Sequence, residues 1–576
     1  MSRPAVLLLS GWFAAACLAL AAFVYLHNLG SKHAATNPDE LLYLQIARLT
    51  ADTGQWLPLQ AADQKHRNTK PPGLFWQGMM STDWGAHWDL RHVRYPNALY
   101  TLAAATMVLI LGRKLGGSFA CGATGALAYL AFFGVYRHGR VFLTSAPETF
   151  WLFAPFFLLL LRPADMMLGW RLALAFGVII GVALLYKSFA MLIPAAAALG
   201  WWTLRLRGYR LGAWLRADAG KLLLLSILSL GVFALWFWFD PHRQFIWHDF
   251  ILKENAGKFD ADESGYLATA LWGKQSIWQY AAGWATNAGL LAPAVLAVFV
   301  LAWRGRRQMA PTEKLLWIWI ITLFVFHLFP NLRYERYLLP AMPAVAVLCG
   351  LYWARIPRWV LVPTSLAASV LCAGMAAGAI LIDRSLAEGR IYSAIDWAIL
   401  VGSVIFSAAG LLRPSWTRSF ALPSVILVYL AFAVFLRPFD GPRGAFEDTA
   451  IAAALERDII VPAPFASKDE IYRFLLPGST PKRIREKEIG AALAAGKSGD
   501  LFILSRPLDD LGLETDGKFV VLGRRLSLQD YFTGEQTADM LRGNVARHLF
   551  AREFLVRLQS SASAPPQEQQ AQDGEN

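Results

Sequence analysis

Charge is scarce in this sequence. Only 16% of its 576 residues are Asp, Glu, Lys or Arg, where an ordinary soluble protein carries about 25%. That shortage excludes a soluble enzyme of ordinary surface. It also excludes disorder over most of the chain, because 56% of residues are apolar and could not stay unpacked. Cysteine is scarce as well. Cys17, Cys121, Cys349 and Cys372 all fall inside apolar runs and no two have CxxC spacing, so neither a zinc site nor a disulfide framework is expected. No glycine-rich nucleotide fingerprint is present. Acids are outnumbered by bases, 41 to 54, for a net charge of +13. In a chain this apolar, such an excess reads as membrane topology, and no nucleic-acid partner is expected.

Long apolar runs are abundant. The first, from Pro4 to about Leu26, has roughly the 20 residues a spanning helix needs and no small-x-small cleavage site before His27 and Asn28, so it reads as a span and not a signal peptide. Further runs lie at about 96–112, 119–136, 146–161, 170–186, 188–204, 222–239, 282–303, 315–329, 337–354, 359–382, 393–412 and 419–436. Together they predict about thirteen transmembrane helices. The short loops bearing Arg113 and Lys114, Arg205 to Lys221, Arg304 to Lys314, and Arg355 and Arg358 fall on one side, which the positive-inside rule makes the cytoplasm. The N-terminus is then cytoplasmic, and the hydrophilic stretches at about 28–95, about 240–281 and after Leu436 lie outside.

The fold class expected is therefore an α-helical polytopic membrane protein with a small extracytoplasmic α/β domain at its C-terminal end. Its membrane domain covers 1–436, its outer domain 437–556, and a Ser/Gln/Pro-rich tail, 557–576, is expected to be disordered. In the outer domain, 458–461, 501–504 and 518–522 read as strands, and 468–475, 486–495 and 544–555 as helices. Two short apolar helices, 38–50 and 73–80, are predicted in the first outer stretch, the second opened by Pro71 and Pro72.

Ionisable residues at the outer mouths of spans are candidates for chemistry. Asp39 and Glu40 follow the first span; the plainer reading is a helix start complementing the dipole. Lys70, beside two prolines, is a turn or a phosphate ligand. Arg137, His138 and Arg140 are interfacial anchors or site residues, while Glu148 heads an otherwise uncharged span. Lys187 and Ser188 form a tight hairpin with an ammonium at its tip. Glu254 to Phe259 and Asn331 to Pro340, with Arg333, Arg336 and Tyr337, are equally well read as solvated loops. Together these acids and bases suit a phosphorylated lipid: cations hold the phosphate and a carboxylate serves as base or metal ligand.

The order of these motifs resembles that of the GT-C membrane glycosyltransferases, and within them the protein O-mannosyltransferase-like family, which includes the bacterial aminoarabinose transferase of lipid A. The motifs are Asp39-Glu40-x-x-Tyr43, Lys70-Pro71-Pro72, Arg140…Glu148, Leu185-Tyr186-Lys187-Ser188, Glu254-x-x-x-Lys258-Phe259 and Arg336-Tyr337-Leu-Leu-Pro340. The resemblance runs from about residue 5 to 355 and implies a GT-C fold. It implies Asp39 as the catalytic acid with Glu40 beside it, and Glu148 as a second acid. Lys70 and Lys187 would bind a polyprenyl-phosphate donor, and Lys258 and Tyr337 match donor-site positions. Leu42, Thr69, Asn255 and Lys258 stand where the aminoarabinose group has Arg, Glu, His and Arg, and these departures bear on which sugar is carried.

The function implied is transfer of a sugar from a polyprenyl-phosphate donor to a glycolipid or glycan acceptor at the periplasmic face of a bacterial inner membrane. The donor needs no nucleotide; no cofactor is called for beyond a divalent cation that Asp39 could hold. Alternatives are a protein O-glycosyltransferase of the same family and, from another class, a transporter. A transporter would show internal repeats and broken spans meeting at mid-membrane. Placement of Asp39, Glu148 and Lys187 in one outer cavity favours the enzyme.

Overall fold

The computed structural model describes residues 11–33, 38–63, 67–162, 166–259, 265–385, 391–441, 443–463, 467–507, 517–529, 534–542 and 545–559. The chain divides into two compact units, Met1–Leu436 and Arg437–Asn576.

The first unit is helical. Among the described residues eight helices are long and apolar enough to cross a membrane, or nine if the bent pair Phe119–Ala131 and Phe133–Gly139 is one span. Three apolar runs form shorter helices: α1 (Gly11–Leu26), α7 (Ser145–Leu160) and α8 (Trp170–Leu184). This is a multi-pass membrane protein, and the number of spans depends on how these shorter helices are counted. Between them lie α2 (Pro38–Ala51), α3 (Gly73–Ser81), α4 (Leu90–Gly116), and the bent pair α5 (Phe119–Ala131) and α6 (Phe133–Gly139). The amphipathic stretches expected at 38–50 and 73–80 are α2 and α3, packed together through Tyr43 and Phe75, whose rings meet edge to face at 5.9 Å.

Local signals set the helix ends. Asp89 caps α4 by accepting from the N–H groups of Arg91 and His92, and Gly117 ends it in the left-handed region at φ 69°. Ser118 then caps α5. Glycine lets α4, α5 and the helix Met342–Tyr352 approach backbone to backbone. A Cβ on Gly122 would lie 2.3 Å from the Leu109 carbonyl oxygen, and one on Gly350 2.6 Å from that of Cys121. Apolar surface gives helices little reason to associate in lipid, so this close van der Waals packing holds the hub together.

The second unit carries a five-stranded sheet in the order β2-β1-β3-β5-β4, with β1 Asp458–Pro462, β2 Thr480–Ile484, β3 Leu501–Pro507, β4 Phe519–Leu528 and β5 Phe550–Leu558. β1 runs parallel to β2 and β3, and β5 runs antiparallel to β3 and β4. Strands were expected at β1, β3 and β4. The helix expected over 544–555 is a correction: the described part is helical only at Val545–Leu549, and Phe550 onward is a central strand. Phe554 and Val556 close a core with Phe502 and Leu504, and burial on both faces replaces the alternation that marks a half-buried strand. Asp509, Asp510 and Glu514, and the tail from Ser560, lie outside the described residues.

Candidate active site

Five separate segments of the first unit bring charge to one cavity of about 670 Å³, and a sixth supplies Glu148, the buried partner of the cavity's Lys187. Asp39 comes from the first turn of α2. Lys70 comes from the connector before α3, and Glu148 from the first turn of α7. Lys187 and Ser188 stand between α8 and the helix Leu192–Leu206. Glu254 and Asn255 end a ten-residue π-helix, Ile246–Asn255, and Arg336 and Tyr337 lie in the 3₁₀ segment Glu335–Ala341.

The charges meet as three ion pairs. Lys70 Nζ lies 2.6 Å from Glu254 Oε1, Lys187 Nζ 2.7 Å from Glu148 Oε2, and Arg336 Nη1 2.7 Å from Asp39 Oδ2. Every pair joins residues more than 38 positions apart, so none is a local helix contact. Their exposure is graded. The Glu148 side chain is 1% exposed, Glu254 31% and Asp39 37%, which makes Asp39 the most accessible acid of the three. The second oxygen of Glu148, Oε1, is buried with no hydrogen-bond partner among the described residues.

Neighbouring groups fix these charges. Lys187 Nζ sits over the Tyr337 ring, 4.7 Å from its centroid. Ser188 Oγ donates to Asn255 Oδ1 at 2.7 Å, and Asn255 Nδ2 donates to the Phe250 carbonyl at 2.7 Å. The dipeptide Glu254-Asn255 therefore bridges the two lysine-bearing loops, Glu254 to Lys70 and Asn255 to Ser188. Burial works against the Lys70 ammonium, but Tyr43 and Glu254 outweigh it and raise its pKa above the ordinary lysine value. Burial lowers that of Lys187, opposed by Glu148 and reinforced by Arg336 and Lys70. The remaining wall is apolar, with Leu42, Leu143, Phe189, Met191, Ile193 and Phe326 among its residues. A charged end with an apolar wall suits an amphiphile with an anionic head.

Gly73 sets how closely the two lysines approach. Its N–H donates to the Leu185 carbonyl at 2.9 Å, two residues before Lys187, and a Cβ would lie 2.8 Å from that same oxygen. The obstacle is backbone and cannot swing aside. Gly73→Ala is expected to cost about 1–3 kcal/mol, read as a lower thermal-unfolding midpoint in detergent.

Other sequence candidates fall outside this cavity. Glu40, next to Asp39, is 0% exposed and accepts from Arg94 through both oxygens, at 2.7 and 3.1 Å, and from the Phe142 N–H at 2.8 Å. It ties α2 to α4 and to the segment before α7. Arg140 donates to the carbonyls of Tyr25 and His27 and to the Tyr136 hydroxyl. Arg333 donates to the carbonyls of Leu328 and Gln275 and to the Tyr266 hydroxyl. Neither arginine lines the cavity. The Lys258 side chain lies outside the described residues. Among the described residues no three His, Cys, Asp or Glu side chains gather as a metal-ligand group; Asp39, the proposed holder of a cation, is paired with Arg336. Sequence reasoning passed over Tyr43, His327 and Asn255 as cavity-lining residues and Arg94 as the partner of Glu40. Arg94 sits in a run with Arg91 and His92 that reads as a solvated face.

No family model matches the chain, and no curated protein matches it. Among solved structures it is similar to ArnT from Cupriavidus metallidurans bound to undecaprenyl phosphate, with TM-score 0.58 and 18% identity over 97% of this chain and 100% of that one. It is similar to the same protein in the apo state, with TM-score 0.59 and 19% identity over 96% and 99%. The archaeal oligosaccharyltransferase AglB from Archaeoglobus fulgidus, in complex with an inhibitory peptide and a dolichol-phosphate, matches at TM-score 0.42 and 12% identity over 85% and 69%. The chain has the fold of ArnT along nearly its whole length.

Proposed function

We propose, from a GT-C fold whose cavity joins three cations to an apolar wall, that this chain is a glycosyltransferase. It takes a sugar from a polyprenyl-phosphate donor and transfers it to a cell-envelope acceptor, a lipid A or another glycolipid or glycan, at the periplasmic face of a bacterial inner membrane. The observation that carries this reading is the convergence of Lys70, Lys187 and Arg336, each paired with a carboxylate, on one cavity. That ArnT has been solved with undecaprenyl phosphate supports the donor class. A transporter is disfavoured because Asp39 and Lys187 line a single cavity and the buried Glu148 pairs with that Lys187.

Each group then has a role. The donor phosphate adds negative charge to a site whose own charges cancel, so it must compete with Glu254 for Lys70 and with Asp39 for Arg336. As the Arg336 guanidinium turns to the phosphate, the Asp39 carboxylate is released toward the acceptor. The acceptor oxygen attacks the anomeric carbon from the face opposite the phosphate, forming the new glycosidic bond. The bond from that carbon to the phosphate oxygen breaks, and the charge left on the lipid phosphate is met by Lys70, Lys187 and Arg336. An acceptor hydroxyl gives its proton to Asp39. Glu148, the most buried of the three acids, keeps Lys187 charged and in place.

Lys70→Ala is expected to weaken undecaprenyl-phosphate binding by about tenfold or more, since a charge-assisted contact is worth roughly 1.5–3 kcal/mol; titration of the purified protein in detergent measures it. The reading as a whole is tested by mass spectrometry of lipid A and envelope glycans from cells with and without the chain. A pentose or hexose increment that depends on the chain supports it, and identical spectra together with no transfer in proteoliposomes refute it.

A further inference from the structure

A second cavity, of about 240 Å³, lies in the same unit. Its charge differs in kind from that of the first. Arg94, Arg137, Arg140 and His33 line it, and among the described residues no carboxylate does. The Arg94 charge is met from behind by Glu40. That of Arg140 is not: its side chain is in a residue 8% exposed, and its partners are two backbone carbonyls and the Tyr136 hydroxyl, all neutral. Buried charges are ordinarily paired with an opposite one. Beside it stands Arg137, exposed at the cavity's edge. The polar floor is stiff, with the Tyr136 ring stacked on Tyr429 at 4.0 Å and the Arg140 guanidinium 4.9 Å from the Tyr136 centroid. Phe133 and Phe432, 43% and 42% exposed, form part of the rim.

The two cavities share one wall. Asp39 lines the first, while Glu40, the next residue, holds Arg94, which lines the second. Leu143 lines the first and Val141 the second, and Phe142 between them donates its N–H to Glu40.

The geometry points to a second anion site, in which Arg137 and Arg140 hold a lipid-borne phosphate on the far side of the Asp39-Glu40 wall from the first cavity. Arg140 supplies a preset charge and Arg137 a mobile one, and the exposed Phe133 and Phe432 meet the chains of the lipid. The site deepens the proposed function by giving this face a phosphorylated lipid of its own, but it does not depend on the donor being a polyprenyl phosphate.

Native mass spectrometry of the delipidated full-length protein tests it. The probes are dioctanoyl phosphatidic acid, dioctanoyl phosphatidylcholine, inorganic phosphate and undecaprenyl phosphate, on the wild type, Arg137→Gln and Lys70→Gln. The wild type should hold one phosphatidic acid and one undecaprenyl phosphate at once. Arg137→Gln, an exposed change that leaves the fold alone, should weaken phosphatidic acid at least about fivefold and spare undecaprenyl phosphate. Lys70→Gln should do the reverse. Loss of phosphatidic acid in Lys70→Gln alone would put it in the first cavity and overturn the proposal. Equal binding of phosphatidylcholine would make Arg137 a plain interfacial anchor, and displacement by equimolar inorganic phosphate would remove the lipid from the claim. Failure of undecaprenyl phosphate to bind any variant would count against the donor reading and leave this site standing.

Discussion

Asp39→Asn is expected to lower transfer by about 10²–10⁴-fold, the range that a positioned general base contributes, with folding and donor binding preserved. The substitution keeps the size of the side chain and a hydrogen-bond acceptor for Arg336, and removes the charge that would take a proton from the acceptor. Because Asp39 also competes for Arg336, its neutralisation leaves the guanidinium freer to meet the donor phosphate. KM for the donor should therefore stay level or fall while kcat collapses. The check is steady-state transfer in proteoliposomes beside a donor-binding titration on the same preparation. A kcat within threefold of wild type would remove Asp39 from the chemistry.

Glu40→Ala, one residue away, should fail in a different manner. It strips the carboxylate from the Arg94 guanidinium, which is 1% exposed, and leaves the Phe142 N–H without its acceptor. Breaking a buried pair by removing one partner costs about 3–5 kcal/mol. The expected result is a large drop in the thermal midpoint and a poor yield of monodisperse protein, with Glu40→Gln intermediate because it can still accept hydrogen bonds. Normal stability in Glu40→Ala would mean that α4 is held to α2 by something other than this pair. Adjacent acids thus separate cleanly: one substitution silences a folded protein, the other unfolds it.

That contrast marks the limit of what could be read from the residues alone. Successive residues on a helix point about 100° apart, so Asp39 and Glu40 face different surroundings, but nothing in Asp-Glu-x-x-Tyr says which one faces the cavity. The deciding partner, Arg94, is 54 positions on, inside a cationic run that looks solvated. The cavity's own cations were legible because lysine or arginine at the mouth of an apolar run has few structural uses. Arg140 and Arg333 met the same description but stand outside this cavity, anchored to carbonyls, which only the fold reveals. Glu254 and Asn255 stood in a loop whose π-helical winding has no periodic signature, yet it brings both toward Lys70 and Ser188. In the second unit β2 escaped notice because Thr480-Pro481-Lys482-Arg483-Ile484 is polar and contains proline, tolerated on an edge strand. β5 was misread because a strand buried on both faces shows no alternation.

The position of β5 also dictates an order of events during biosynthesis. β1, β2 and β3 can pair as soon as residue 507 has been delivered. β4, however, hydrogen-bonds within the sheet only to β5, which begins 22 residues after β4 ends, at Phe550. Until the chain has emerged as far as Leu558, β3 presents an open edge and Phe519–Leu528 lacks its partner strand, with only contacts such as the Leu526 N–H to the Arg443 carbonyl to hold it. An open edge is a template for pairing with other chains, so the interval between the synthesis of β3 and that of β5 is when this unit is most exposed to misassembly. Substitutions that slow the arrival of β5 should therefore harm yield more than they harm the finished fold.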